Sequence, residues 1–363
     1  MSEKILIVGG YGQVGRYVTS ELIKTFSNKV VVAGRSLEKA NSFLQEHGGS
    51  FEILKLDIYD FDRRAEALKN IKVVVMCLSP KNNDFAEHCI KNGVHYIDIS
   101  PSNDIAQNLK TFSHGNENIS STCVLGVGLA PGLSNLLVKE LSQSVDVLQN
   151  VNISLLLGLG EEHGKDGVKW LLDNINENFF LNINGSKVSI KPFIGKHKTD
   201  FIEPLGKRTA YRFNLADQFI VPQTLRIENV SSYFCYDSKA ITAYVSILKR
   251  IGIFGLLKFK ITYRFIEKIF SAILPIIRKT KIGTDIYSIQ VDAVGAKNGK
   301  EVSCRISAIG NNNSLLTGQI AAFSAMKLFT DNYPHRVFYF EELFSLEDID
   351  NFGICPKIEM FVL

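Results

Sequence analysis

The sequence predicts an α/β fold in which a doubly wound parallel sheet is followed by a second, α+β domain with a mostly antiparallel sheet. Two observations predict the first domain: short apolar runs alternate with helical patterns over residues 4–128, and a glycine-rich turn follows the first run directly. A third observation predicts the second domain. After residue 130 the pattern changes to longer alternating segments such as TDIYSIQVDAVG and EVSCRISAIG.

The pattern of the first domain predicts strands and helices in strict alternation. We expect strands at the continuous apolar runs and helices where apolar residues recur at a spacing of three or four. The predicted strands are 4–8, 30–33, 51–56, 73–79, 94–100 and 122–128, and the predicted helices begin near residue 13 and cover 62–70, 84–93 and 103–112.

The domain boundaries are placed where the pattern breaks. Pro131 and Gly132 interrupt the chain before a helix, so we expect the dinucleotide-binding domain to be residues 1–130 and a substrate or dimerisation domain to be residues 131–313. Residues 314–363 form a C-terminal segment that can pack back on the first domain. Its apolar helix, 314–329, is compatible with either domain.

The composition is that of an ordinary globular protein. The chain has 363 residues, 45% of them apolar and 21% charged, which is enough for two domains with real cores. Met-Ser-Glu-Lys leads directly into a strand-like run without the pattern of a secretory signal, so a cytoplasmic location is expected. The six cysteines form no C-x-x-C pair, and no H-E-x-x-H segment occurs. We therefore interpret the cysteines as buried hydrophobic residues and expect no metal site.

The segment GGYGQVG, directly after the first strand, predicts a dinucleotide-binding (Rossmann) site. Gly10, Gly12 and Gly15 form G-x-G-x-x-G, typical of dehydrogenases, while Gly9, Gly12 and Gly15 form G-x-x-G-x-x-G, which also occurs in short-chain reductases and their non-catalytic relatives. The helix should begin at about Gln13. Its first N–H groups and the positive end of its dipole would then face the pyrophosphate.

The end of the second strand distinguishes the two nicotinamide cofactors. NAD sites usually place an Asp or Glu there, whereas this chain has Gly34 followed by Arg35 and Ser36. Arginine pairs with a 2′-phosphate, and no carboxylate repels that phosphate, so NADP(H) is favoured and NAD(H) is the alternative. The predicted cofactor-binding residues, which lie in the glycine turn or after later strands, are Gly10, Tyr11, Gly12, Gln13, Val14, Gly15, Arg35, Ser36, Asp57, Ser79, Pro80 and Asp98.

Several segments together resemble the saccharopine dehydrogenase-like group of NAD(P)-dependent oxidoreductases, which includes saccharopine reductases and lysine 6-dehydrogenases. They span nearly the whole chain: ILIVGGYGQVGRYV, VVVAGRSLEKA, HYIDIS, GVGLAPGLSNLL, LLTGQIAAFSAMKL and FYFEELF. The resemblance implies a dinucleotide-binding domain joined to a substrate domain, with the substrate in the cleft between them. It also implies hydride transfer to or from a carbon that bears nitrogen, in a small amino-acid-derived metabolite.

One departure from the family pattern concerns the substrate. Saccharopine reductases carry a G-x-D-P-G element, whereas residues 128–132 read GLAPG, with Ala130 at the acidic position. A carboxylate cannot hold a substrate amine there. The departure argues against saccharopine itself and leaves lysine dehydrogenase-like or other amine and imine chemistry open.

The second domain supplies the candidates for catalysis. His163 lies in GLGEEHGK, a polar loop between glycines, and Asp217 follows the aromatic segment YRFNLA, so we name these two as candidate acid or base groups. A solvated loop histidine and a helix-capping or turn aspartate are the competing interpretations. The candidate substrate-binding residues are Lys165, Tyr211, Arg212 and Gln218.

The sequence is also compatible with two functions other than catalysis. A non-catalytic NADP(H)-binding sensor or regulatory protein is compatible with the second glycine pattern, and a membrane-surface protein could retain the fold without turnover. A catalytic short-chain reductase is disfavoured, because no Tyr precedes a Lys by four positions. We expect a small-molecule substrate and a homodimer. Nucleic acid is not an expected partner, because no recognised nucleic-acid-binding motif accompanies the basic residues.

Residues 249–281 are strongly basic. They contain nine Lys and Arg residues and one acid, Glu267, which gives a net charge of +8 and leaves −4 for the rest of the chain. Charge-free runs there reach only seven and nine residues, so the segment predicts one or two amphipathic helices and not a membrane span. We expect the apolar face to be buried in the second domain or in a dimer contact, with lysines outward. Binding to an anionic membrane surface is the less favoured alternative.

Overall fold

The computed structural model describes residues 3–99, 102–115, 119–161, 165–279 and 283–362. Two compact units divide the chain. The first contains Met1–Gly132 and Ser314–Ile354, and the second contains Leu133–Asn313 and Cys355–Leu363. Each unit therefore draws on two separate stretches of the sequence.

The secondary structure elements follow in chain order. The strands are β1 Lys4–Val8, β2 Val30–Gly34, β3 Glu52–Lys55, β4 Ile71–Met76, β5 His95–Asp98, β6 Cys123–Leu125, β7 Val147–Leu157, β8 Phe179–Ile183, β9 Ser186–Ile190, β10 Lys196–Phe201, β11 Gly206–Arg212, β12 Asn229–Tyr236, β13 Ile286–Lys297, β14 Lys300–Asn311, β15 Val337–Tyr339 and β16 Lys357–Val362. The helices are α1 Gln13–Phe26, α2 Leu37–Glu46, α3 Phe61–Ala67, α4 Asp84–Lys91, α5 Asn103–His114, α6 Ser134–Gln143, α7 Lys165–Asn176, α8 Asp217–Leu225, α9 Lys239–Arg250, α10 Lys260–Lys279, α11 Asn313–Thr330, α12 Phe340–Leu343 and α13 Leu346–Asn351.

A parallel sheet forms the centre of the first unit. Among the described residues its strand order is β15-β6-β5-β4-β1-β2-β3, and every pairing is parallel. The central strand is buried after its first residue, since Ile5, Leu6 and Ile7 are 0% exposed. The strand order reverses at β1, which pairs with β2 on one side and β4 on the other. In open sheets of this kind ligands bind outside the carboxyl ends of the strands at that reversal.

The C-terminal part of the chain completes this unit. Strand β15 pairs in parallel with β6, Val337 opposite Cys123 and Tyr339 opposite Leu125. Helix α11 passes close to α1 at Gly318, where an added Cβ would lie 2.5 Å from Cβ of Tyr17. Neither the seventh strand nor this close approach was predicted from the sequence.

The second unit is built on a mostly antiparallel sheet. Its order in the described residues is β10-β11-β12-β7-β13-β14-β16, with only β12 and β7 parallel. Strands β13 and β14 form a long hairpin through Asn298 and Gly299, both with positive φ, as a tight hairpin turn requires. The predicted fold class, a Rossmann domain with an α+β domain, is confirmed. Strand β16 joins this second sheet, so the C-terminal segment is shared between the two units.

The basic segment forms helices, as the sequence predicted, but its apolar side is not covered. A short 3-10 helix, Ile253–Lys258, links α9 to α10 and buries Phe254 and Leu257. Of the two expected coverings, burial in the second domain is wrong for a set of exposed side chains, which we call the apolar face: Tyr244, Ile247, Ile251, Ile253, Leu256, Phe259, Ile261, Phe265 and Ile269. The other expected covering, a dimer contact, stays a prediction. In the described part of the chain, no helix combines the length and hydropathy that a bilayer crossing requires.

The approach of α11 to α1 yields a stability prediction. We expect Gly318→Ala to lower the free energy of unfolding by about 1–2 kcal/mol, because the new methyl must displace Tyr17 and this cost exceeds the gain in helix propensity. Urea unfolding measures the change. The matched control is Gly255→Ala, where an added Cβ meets nothing within 4 Å. Equal effects at the two positions would contradict the close packing.

Candidate functional site

The glycine turn after β1 presents the N-terminus of α1 at the carboxyl edge of the sheet. Gly9 has φ +81°, and an added Cβ at Gly15 would lie 2.2 Å from the Gly9 carbonyl oxygen. Helix α1 begins at Gln13, after Gly12 in an extended conformation, and no side chain caps it. Its first turn contains no acidic residue. The backbone amides of this turn and the helix dipole therefore fit a pyrophosphate.

The end of β2 lies beside this turn and is closed by Tyr11. The Tyr11 hydroxyl accepts a hydrogen bond from the Ser36 backbone N–H at 3.0 Å. An added Cβ at Gly34 would be 2.3 Å from the Tyr11 hydroxyl oxygen. Arg35, which lies between Gly34 and Ser36 in the sequence, is exposed. We call Tyr11, Gly34, Arg35 and Ser36 the β2 corner. An acidic side chain at position 34 cannot fit there while Tyr11 keeps its place.

The other predicted cofactor residues of the glycine turn are held in the first unit. The Gln13 side chain donates a hydrogen bond to the Ser314 hydroxyl at 3.0 Å, which ties the start of α1 to α11. Val14 is half-buried, and Gly12 stands where an added Cβ would be 3.0 Å from the Gly9 carbonyl oxygen. The structure thus brings the glycine turn and the β2 corner together.

The residues predicted after the later strands have mixed surroundings. Asp57 is exposed and accepts a hydrogen bond from the Tyr59 backbone N–H at 3.1 Å, a local turn contact. Ser79 is exposed and Pro80 half-buried, both after β4. Asp98 is 0% exposed and accepts a hydrogen bond from the Tyr96 hydroxyl at 3.2 Å. Its carboxylate faces the protein interior, whereas Asp57 and Ser79 face solvent.

The substrate candidates of the second unit do not form one cluster. His163 lies outside the described residues, and Lys165 is the first residue of α7. Tyr211 and Arg212 are consecutive on β11, so their side chains leave opposite faces of the sheet. Tyr211 is buried with its ring 5.8 Å from that of Phe193.

Arg212 and Gln218 are both engaged within the second unit. The Arg212 guanidinium donates to the Ser231 hydroxyl at 2.6 Å and lies 5.0 Å from the centre of the Tyr233 ring. The Gln218 amide donates to the Phe213 carbonyl at 2.9 Å and accepts from the Ser232 backbone N–H at 3.1 Å. Both ends of the Gln218 amide therefore fasten α8 to the sheet.

Asp217, one of the two acid or base candidates from the sequence, lies in the interior of the second unit. It begins α8, is 0% exposed, and accepts a hydrogen bond from the Ser134 hydroxyl. Its other carboxylate oxygen has no hydrogen-bond partner among the described atoms. Burial raises the pKa of Asp217 to about 6, although the Ser134 hydrogen bond lowers it. No local pattern pointed to Ser134 as this partner, since the two residues are 83 positions apart.

Metal ligation has no support in the described residues. Within them, no three His, Cys, Asp or Glu side chains come together as a metal ion would require. The described cysteines are free, and only Cys355 among them is exposed.

Comparisons with known proteins agree with the geometry. Residues 5–121 match the family model of the saccharopine dehydrogenase NADP binding domain. No curated protein sequence matches the chain.

Two solved structures share the fold over nearly the whole chain. Apo saccharopine dehydrogenase (L-Glu forming) from Saccharomyces cerevisiae has a TM-score of 0.71 at 13% identity, covering 99% of this chain and 100% of that one. Homospermidine synthase from Legionella pneumophila, in complex with NAD, has a TM-score of 0.64 at 10% identity, covering 100% of this chain and 92% of that one.

The family match confirms both the resemblance seen in the sequence and the prediction of an NADP cofactor for the first domain. At these identities the two structures extend the likeness in fold, and in fold alone, to the rest of the chain. Residues 5–121 are therefore similar to the saccharopine dehydrogenase NADP binding domain, and the whole chain shares the fold of saccharopine dehydrogenase.

Proposed function

We propose that the protein is an NADPH-dependent oxidoreductase that transfers hydride to or from a carbon bearing nitrogen, in a small amino-acid-derived metabolite. The observation that carries the NADPH assignment is the β2 corner: Tyr11 fills the space beside Gly34, so the corner excludes the carboxylate that an NAD site uses. The family match of residues 5–121 supports the same cofactor.

Within the β2 corner, Arg35 is the group that we assign to the 2′-phosphate. Its guanidinium is exposed, and a planar guanidinium forms two parallel hydrogen bonds to a phosphate. The Ser36 hydroxyl accepts the Lys39 backbone N–H at 3.4 Å and so begins α2 beside the same phosphate position. Tyr11 accepts the Ser36 backbone N–H, and its ring occupies the space beside Gly34.

The C–N chemistry rests on the family resemblance. The cofactor supplies hydride at C4 of its nicotinamide, and the chain must bind it, orient it and move one proton. Asp217 has a pKa near the range that general acid–base catalysis needs, and it remains a candidate together with His163. The absence of an acidic side chain at Ala130 favours a substrate other than saccharopine.

The first prediction from the proposed function concerns Arg35. We expect Arg35→Ala to weaken NADPH binding about tenfold to a hundredfold, because a charge-assisted pair to the 2′-phosphate is lost, and to leave NADH binding nearly unchanged. Fluorescence titration with each cofactor measures both constants. Arg336→Ala, at the amino end of β15, is the matched control and should change neither. Equal weakening of NADPH and NADH by Arg35→Ala would show that Arg35 does not read the phosphate.

The second prediction concerns Tyr11 and Gly34 as a pair. We expect Gly34→Asp alone to weaken both cofactors, because the new side chain meets the Tyr11 ring. Combined with Tyr11→Ala, the same change should fit and should shift the preference towards NADH, since the carboxylate repels a 2′-phosphate and accepts the ribose hydroxyls. Tyr11→Phe, which removes only the bond to Ser36, should cost about 1 kcal/mol of stability or less. A single Gly34→Asp variant that already prefers NADH would contradict the steric argument.

The enzyme assignment is tested by turnover. Purified protein with NADPH or NADP⁺ is screened spectroscopically against amino acids, amines and pairs of an oxo acid with an amine. Consumption of the cofactor with one such substrate, lost in Arg35→Ala at low cofactor concentration, is the expected result. Cofactor binding with no turnover across the screen would count against the proposed reaction and leave the binding site intact.

The third prediction concerns the pH dependence that Asp217 confers. Its folded pKa of about 6 lies above the ordinary value of 3.8, so the folded state binds this proton more tightly than the unfolded state does. The stabilisation is complete below about pH 4 and is lost as the pH rises through 6, by up to about 3 kcal/mol. Asp217→Asn should remove this fall, as urea unfolding between these pH values will measure.

Ser134→Ala provides the matched control for Asp217. It removes the hydrogen bond that lowers the pKa, so the fall in stability should move to higher pH and not disappear. If Asp217→Asn and the unaltered protein lose stability in parallel over this range, the raised pKa is wrong. The pH profile of turnover, once a substrate is known, shows whether the same group also acts in catalysis.

A further inference from the structure

We propose that the second unit binds the surface of an anionic phospholipid bilayer through α9, the 3-10 helix and α10. The starting observation is the apolar face, whose members stand 38–87% exposed in one segment of the chain. Scattered exposed apolar residues are normal on a protein surface, but a contiguous set of them marks a binding surface.

Helix α10 has a defined outer side. Ile261, Phe265 and Ile269 follow one another at intervals of four residues and are 87%, 62% and 38% exposed, so they form one row along the helix. On the inner side the Tyr263 hydroxyl donates to the Asp173 carboxylate at 2.7 Å, which holds α10 against α7. The apolar row is thus turned away from the protein by a fixed contact.

A basic row runs beside the apolar row. Lys260, Arg264 and Lys268 each precede a member of the apolar row by one residue, which is about 100° around the helix, and all three are exposed. A helix with an apolar stripe flanked by lysine and arginine lies in the headgroup region of a membrane, apolar side inward. The net charge of +8 over residues 249–281 gives the whole segment the complement of an anionic lipid surface.

A basic groove continues this surface at the start of α9. Its charged lining includes one acid, Asp200, and the bases Lys196, Lys198, Lys207, Arg208, Lys239 and Arg305. Lys239 and Ala243 line the groove, and Ile247 and Ile251 continue at the same four-residue interval into the apolar face. One side of α9 therefore leads from a cationic groove, suited to phosphate headgroups, to side chains suited to acyl chains.

Charge decides between a membrane and a second copy of the chain. A two-fold contact through the apolar face would bring the basic rows of both partners to the same interface, because such a contact joins the same patch on both partners. Like charges facing one another across an interface cost free energy. An anionic bilayer instead has an apolar interior beneath a negatively charged surface. The apolar row can therefore contact acyl chains while the basic row contacts the headgroups.

Flotation of the full chain with lipid vesicles tests the proposal. We expect binding to vesicles in which about one lipid in three is phosphatidylserine and the rest phosphatidylcholine, and weak binding to phosphatidylcholine alone. The triple variant Lys260→Gln, Arg264→Gln and Lys268→Gln should lower partitioning to the anionic vesicles roughly a hundredfold. The double variant Ile261→Asp and Phe265→Asp should abolish it.

Matched controls separate the surface from general changes in charge or hydrophobicity. Phe180→Asp removes an exposed aromatic side chain of the same unit, and the triple change Lys187→Gln, Lys297→Gln and Lys300→Gln removes the same charge elsewhere. Both should bind anionic vesicles as the unaltered chain does. Circular dichroism and the thermal midpoint of each variant show that the fold is retained, and they do not depend on the cofactor assignment.

Three results would overturn the proposal. They are no binding to anionic vesicles, equal loss in the variants and the matched controls, and a dimer in sedimentation that dissociates on Ile261→Asp and Phe265→Asp while vesicles stay unbound. The last result would assign the apolar face to a second copy of the chain. Capture of an acidic peptide without vesicle binding would likewise replace the membrane as the partner.

Discussion

The close contact between Gly15 and the Gly9 carbonyl is the constraint on which the first unit depends. It brings the start of α1 against the turn that leaves β1, at the place where the strand order reverses. A side chain at position 15 would push the helix away and take its N–H groups from the carboxyl edge of the sheet. In the function that we propose, packing and anion binding thus have one cause there, and the same glycine serves stability and the cofactor.

In the β2 corner, the absence of a side chain at Gly34 underlies the preference for NADPH that we propose. Gly34 is not merely a small residue after a strand, because the Tyr11 ring occupies the space that a side chain would take. The aromatic ring reaches that place from the glycine turn, and its hydroxyl is fixed by the Ser36 backbone. In the function that we propose, cofactor choice depends on packing between two loops as well as on the charge of Arg35.

The sequence predicted the parts of this protein whose signals are local. Several strands of the first sheet are continuous apolar runs, and the glycine turn carries its own spacing, so both were found. Strand β15 has only three residues, too few to show a periodic pattern in the sequence. Its partner β6 lies more than 200 positions earlier in the chain, so the pairing has no local signal either. The pairing of Asp217 with Ser134 and the Tyr11 contact to Gly34 are also tertiary. The exposure of the outer side of α10 could not be predicted, because an amphipathic pattern does not say what covers its apolar face.

The division of each unit into two stretches has a consequence for synthesis on the ribosome. Strand β6 exposes an unpaired edge until β15 has been made, and the whole second unit up to Asn313 emerges in between. In the second sheet, β14 likewise lacks its outer partner until β16 has been made. Both sheets therefore gain their last strand only when residues 337–362 leave the ribosome. A chain that stops short of this point has the 12-residue strand β14 at a sheet edge in place of the 6-residue strand β16, and a long exposed edge is the feature that templates aggregation.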